Sequence, residues 1–168
     1  GELTNLLHDV LRVTTPLLLL ALGATLTNRA GVLNIALEGL LLFGAFAAVL
    51  GSGLTGSLLA GLLSAALAST LLALLFAWFA LFLRANIFIV GLATNAFAAA
   101  VTTYGAWLVS GREGALRFSS SPTLPRLELP LIADVPALSF LSGHTLLDYL
   151  AWALVAAVSF LLMRTRYG

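Results

Sequence analysis

The chain has 168 residues, of which 61% are hydrophobic and 9% charged, with a net charge of +1 and no Cys. Soluble domains carry about 25% charged residues, so eight basic and seven acidic side chains cannot clothe a water-exposed globule of this length. That excludes a soluble enzyme, a phosphate-seeking nucleic-acid binder, a disulfide scaffold and any site built on thiolate. An integral membrane protein remains, of all-α class: a polytopic bundle of transmembrane helices.

At the amino end, Leu3, Leu6, Leu7, Val10 and Leu11 recur at helical spacing. This stretch is expected to lie along the outer interface until Pro16 bends or opens the first span. A cleaved signal peptide is the competing reading of the apolar run near residue 20, but Glu2 and Asp9 beside Arg12 make a poor positive leader.

Charge-free runs mark the spans. No charge falls between Val13 and Asn28 or between Asn86 and Gly111; Glu38 alone interrupts residues 30–83, and Asp148 alone interrupts 145–163. About 20 apolar residues cross ~30 Å of hydrocarbon, which predicts membrane segments near 11–28, 31–50, 55–83, 87–110 and 145–163. Only residues 28–31 separate the first two. They form either a tight helical hairpin or one discontinuous, partly re-entrant element.

In the third segment, Gly56, Ala60, Ser64 and Ala68 recur every four residues, beside a row of Gly61, Ala65 and Ser69. Small residues at that period predict close helix packing in lipid. Trp78 suits the inner interface. The fourth segment places Gly91, Asn95, Ala98 and Thr102 on one face, with Thr94 and Thr103 alongside. An Asn within a span either bonds a neighbouring helix or touches solute in a path.

Residues 111–144 form a long external loop with four prolines, flexible around 119–121 and extended over 124–130. Thr145 and Asp148 then have capping-box spacing at the start of the last span. His144 reads as interfacial, because no second ligand has metal-site spacing with it. Arg29, Arg84, Arg164 and Arg166 share one side without acids, whereas Arg12, Arg112, Arg117 and Arg126 on the other are diluted by Glu2, Asp9, Glu113, Glu128 and Asp134. The positive-inside rule then puts the amino terminus outside.

Residues 28–39, N-R-A-G-V-L-N-I-A-L-E-G, followed by L-L-L-F-G-A-F to Phe46, resemble the signature of bacterial ABC importer permeases for nucleosides and simple sugars. The wider group includes ribose-type and branched-chain amino acid permeases. Residues 85–95, A-N-I-F-I-V-G-L-A-T-N, are similar to that family's second block. Residues 131–138 and the closing R-T-R-Y-G of 164–168 resemble the nucleoside branch. The resemblance runs from about Arg12 to Gly168 and implies the amino-terminal part of a permease in the bacterial inner membrane. Its implied partners are ATP-binding cassette subunits, a second permease subunit (homologous or identical), an external solute-binding lipoprotein and membrane lipid. It implies no cofactor and no catalytic or metal-binding residue.

Glu38 is the one ionisable side chain between Arg29 and Arg84. A charge at the bilayer centre costs at least about 2.5–3.5 kcal/mol, so such acids face a cavity or a partner. Asn34, four residues earlier, is expected on the same helical face, with its amide donating to the carboxylate. Either Glu38 caps backbone groups at the break near residue 31, or Asn34, Glu38, Asn95 and Thr102 border a solute path. Two other functions remain open: a substrate-capture membrane subunit of a vitamin-type importer, and a non-transporting scaffold.

Overall fold

The computed structural model describes residues 2–111, 116, 118, 122, 124–127 and 142–164. The expectations placed on 119–121, 128–138 and 165–168, and on the charges of Arg112, Glu113, Arg117, Glu128, Asp134 and Arg166, lie outside the described residues. Among the described residues, five helices are long and apolar enough to cross a membrane. They are α1 (Glu2–Arg29), α2 (Leu37–Thr55), α3 (Leu58–Ala77, continued by a π-helical turn, Trp78–Phe82), α4 (Ile87–Ser110) and α5 (Leu146–Arg164). The chain divides into two compact units, residues 1–32 with 124–168, and residues 33–123.

In the first unit, α1 is one unbroken helix of 28 residues. The expected interfacial stretch and the first span are therefore a single element, and Pro16 neither starts nor ends it. Proline removes one helical donor, the one that would reach the Arg12 carbonyl. Beside it, Thr15 donates from Oγ1 to the Leu11 carbonyl at 2.8 Å. The same hydroxyl accepts from Trp152 Nε1 at 3.1 Å, which ties α1 to α5. About two turns earlier, His8 stacks on His144 with ring centroids 4.1 Å apart. His144 also meets the edge of Trp152 at 5.0 Å. His8 lies opposite His144 and Thr15 opposite Trp152, so the two helices run in the same direction. His144 is buried between α1 and α5, at 2% exposure.

Local chemistry sets the ends of these helices. α1 stops where Gly31 takes φ +80°. The Val32 N–H donates to the Thr27 carbonyl and that of Gly31 to Asn28, at 2.9 and 3.0 Å. This is the Schellman pattern, which needs a left-handed residue. At the start of α5, the Thr145 N–H donates to Asp148 Oδ2 at 3.0 Å, and the Asp148 N–H returns to Thr145 Oγ1 at 3.4 Å. Both partners of the box predicted from sequence are in place. Just before it, β1 (Arg126–Leu127) pairs antiparallel with β2 (His144–Thr145).

In the second unit, α2 and α3 lie antiparallel at backbone distance. A Cβ built on Gly61 would sit 2.9 Å from the Ala48 carbonyl, and one on Gly51 would sit 2.9 Å from that of Ala60. Ser64 donates to the Ala47 carbonyl at 2.8 Å, and Ser69 to that of Leu40 at 3.2 Å. Ala68 is half-buried on this face. Gly56 does not belong to the packing row. It closes α2 in the left-handed region at φ +67°, donating its N–H to the Ser52 carbonyl, and a Cβ there would meet nothing within 4 Å. Overpacking a close contact costs ~1–3 kcal/mol. Ser64→Leu is thus expected to destabilise the protein by about that amount, whereas Ala66→Leu, on the exposed face, leaves it near neutral. Thermal unfolding in detergent measures both, and equal midpoints would remove the close contact from the account.

The expected long third segment ends in a different geometry. α3 widens at Trp78–Phe82, where the Leu83 N–H reaches back five residues to the Trp78 carbonyl at 3.0 Å. Trp78 and Phe82 stack with centroids 4.4 Å apart. Arg84 follows in the left-handed region at φ +52°, and Asn86 then caps α4. Its Oδ1 accepts from the N–H groups of Phe88 and Ile89 at 2.9 and 3.4 Å, satisfying donors that a helix start leaves open.

Candidate functional site

Residues 33–36 are not helical, so α2 begins six residues later than the segment predicted from residue 31. Non-helical backbone at membrane depth must be satisfied by protein or water. Two asparagines do this. Asn34 Oδ1 accepts from the Ala36 N–H at 3.1 Å in a tight local turn. Asn95, in the body of α4, donates from Nδ2 to the Ile35 carbonyl at 3.0 Å and accepts at Oδ1 from the Gly39 N–H at 2.8 Å. One amide therefore bridges the last irregular carbonyl and the first turn of α2.

The glycines explain why the helices come this close. A Cβ on Gly39 would lie 2.9 Å from the Asn95 Cα, and one on Gly91 would lie 2.7 Å from the Ile35 Cβ. Ala36 and Ala98 are fully buried, and Ala36 joins Phe76 and Ala80 in a small apolar core flanked by Ile87 and Val90. Farther along, the ring of Phe46 lies under Gly105, 2.5 Å from where its Cβ would be. Gly39 faces Asn95 and Phe46 faces Gly105, so α2 and α4 run parallel. At ~1.5 Å per residue, α2 starts beside a point about 12 Å inside the beginning of α4.

Glu38 stands in the first turn of α2 and is exposed. Asn34 lies before the helix, so the expected shared helical face is not formed, and among the described residues its Nδ2 donates no bond to the Glu38 carboxylate. Nor does Glu38 cap the break: α2 has no side-chain cap at its first residue, and the donors there go to Asn34 and Asn95. Thr102 is buried and donates to the Ala99 carbonyl at 3.1 Å.

Between α2 and α4 lies a cleft of about 390 Å³, bordered by Leu42, Phe46, Thr102, Thr103, Ala106 and Leu116. Its lining carries hydroxyls and apolar groups but no charge. Gly39 and Phe46 stand in the family-like block of the sequence, but the packing that they and Gly105 make is not expected from it. The available signal was the placing of these glycines on helix faces, where lost helix propensity is offset by close approach.

A family profile described as "Branched-chain amino acid transport system / permease component" matches residues 6–168. The chain belongs to this permease family. The permease is similar to "Guanosine ABC transporter permease protein NupQ" of Bacillus subtilis (strain 168), at 32% identity over 165 residues, covering 91% of this chain and 50% of that protein. It is also similar to "Putative glucose ABC transporter permease protein TsgC13" of Haloferax volcanii, at 30% identity over 168 residues, covering 98% of this chain and 49% of that protein. The permease thus spans about half the length of the curated relatives it matches. No solved structure gives a significant match. With five helices able to cross a membrane, the permease is a multi-pass integral membrane protein.

Proposed function

We propose that this chain supplies part of the membrane path of an ATP-driven importer for a neutral nucleoside or simple sugar. The uncharged cleft between α2 and α4 carries the reading, because hydroxyls on an apolar wall suit a neutral polar solute and offer nothing to hold an ion. The guanosine and glucose permeases among its relatives support the same solute class. ATP hydrolysis belongs to separate ATP-binding cassette subunits in the plasma membrane assembly. A second permease subunit completes the path, and an external solute-binding lipoprotein delivers the solute.

Within that path the four polar candidates divide by what their side chains already do. Asn95 and Thr102 bond helix backbone, and Asn34 holds the turn before α2, so these three shape the wall. Glu38 keeps an exposed carboxylate at the α2 start, outside the cleft's lining, and is the one of the four left free to meet solute before or after the cleft. The test is uptake by the full-length gene product, reconstituted in proteoliposomes with its ATPase and binding protein. Saturable, ATP-dependent entry of guanosine or glucose is expected. Entry of a branched-chain amino acid with neither of those solutes would overturn the reading.

A further inference from the structure

α4 has two faces of different character. Gly91, Thr94, Ala98 and Thr102 are buried, and the Thr94 and Thr102 hydroxyls return to backbone carbonyls of their own helix. On another face, Thr103, Tyr104 and Trp107 with Ala99 and Ala100 border a wide, open groove of about 650 Å³. Tyr104 and Trp107 stand 61% and 47% exposed. Their rings lie within 24° of parallel, with centroids 6.0 Å apart. Thr103 also borders the cleft against α2, so one residue lines both spaces. Unlike Thr94 and Thr102, it makes no hydroxyl bond to its own helix among the described residues. No charge occurs in residues 86–111.

We propose that Thr103, Tyr104 and Trp107 form a contact surface for the ring of the transported solute in the outer half of the path. This deepens, and rests on, the reading of the chain as part of a nucleoside or sugar permease. The chemistry selects the occupant. Aromatic faces take a nucleobase or the C–H face of a sugar by stacking that tolerates different rings. A free hydroxyl can bond the hydroxyls or base edge of the same solute, and small residues at 99 and 100 leave room for it. The absence of charge disfavours an ion. The contact is broad and weakly directional, as a path requires if solute is to leave it. The competing occupant is lipid headgroup at an interfacial aromatic belt.

The chain contains no Cys, which allows single-cysteine labelling in the full-length transporter with its partner subunits. Thr103→Cys is expected to react with a charged, membrane-impermeant thiol reagent, and saturating guanosine or glucose should slow that reaction at least about fivefold. Ala100→Cys on the same wall gives the same readout if the first variant fails to assemble. Tyr104→Ala and Trp107→Ala should each raise the KM for uptake about tenfold, the value of one stacked ring, and phenylalanine at either position should restore most of it. Lack of reaction with the charged reagent, or reaction that solute does not slow, would overturn the proposal in a transporter that still imports guanosine or glucose. Import of neither solute by the unmodified transporter would instead strike the proposed function itself.

Discussion

Asn95→Leu is expected to lower the stability of the permease by roughly 2 kcal/mol or more, because two part-buried backbone groups lose their partner at ~1–3 kcal/mol each. The groups are the Gly39 N–H and the Ile35 carbonyl, on either side of the α2 start. Average hydrogen bonds between helices in lipid contribute only about 0.6 kcal/mol, since side chains find other partners when separated. These two differ: they belong to backbone that has no helical partner and is pressed against α4 by Gly39 and Gly91. Gly39→Ala should act in the same direction by about 1–3 kcal/mol, its methyl meeting the Asn95 backbone. Thermal midpoints of the full-length protein in detergent measure both changes. An Asn95→Leu protein that melts with the unmodified one would show that the bridge is dispensable.

Glu38→Leu should give the opposite profile: near-normal assembly with lost transport. The carboxylate satisfies no helix end and bonds no described side chain, so its removal should cost the fold only the charge–dipole term of a first-turn acid, about 0.3–1 kcal/mol. Solute flux should fall about tenfold or more while basal ATP hydrolysis by the assembled complex persists. Glu38→Gln, which keeps a polar group of the same size, should retain part of the flux. Parallel loss of assembly and uptake in Glu38→Leu would return the residue to a structural role. Normal uptake would remove it from the path.

The features legible in the sequence were those that depend on near neighbours. Charge-free runs located five helices because the cost of a charge in hydrocarbon is a property of composition. Thr145 and Asp148 announced their cap across three residues, and the spacing of Ser64 and Ser69 marked the side of α3 that meets α2. Distant pairings stayed hidden. Asn95 reaches residues 56 and 60 positions away, and the His8–His144 stack joins opposite ends of the chain. The start of α2 was misplaced because residues 32–37 are as apolar as a helix, while the turn at Asn34 that delays it depends on one side-chain bond. Gly56 fitted a four-residue repeat that cannot distinguish a packing glycine from one ending a helix. On α4, the period identified a face containing Asn95 and Thr102, but nothing local told that this face turns inward to α2 while Thr103, Tyr104 and Trp107 border open space.

Backbone-distance packing along α2 also limits how the transporter moves. Small sliding of one packed helix past another is one way proteins change shape. Here the mating surfaces are carbonyls, hydroxyls and missing methyl groups at Gly39, Gly44, Gly51, Gly61 and Gly105, with Asn95 as a peg through one end. Such a contact has no longitudinal play. If the proposed transport holds, α2, α3 and α4 are expected to move through its cycle as one slab.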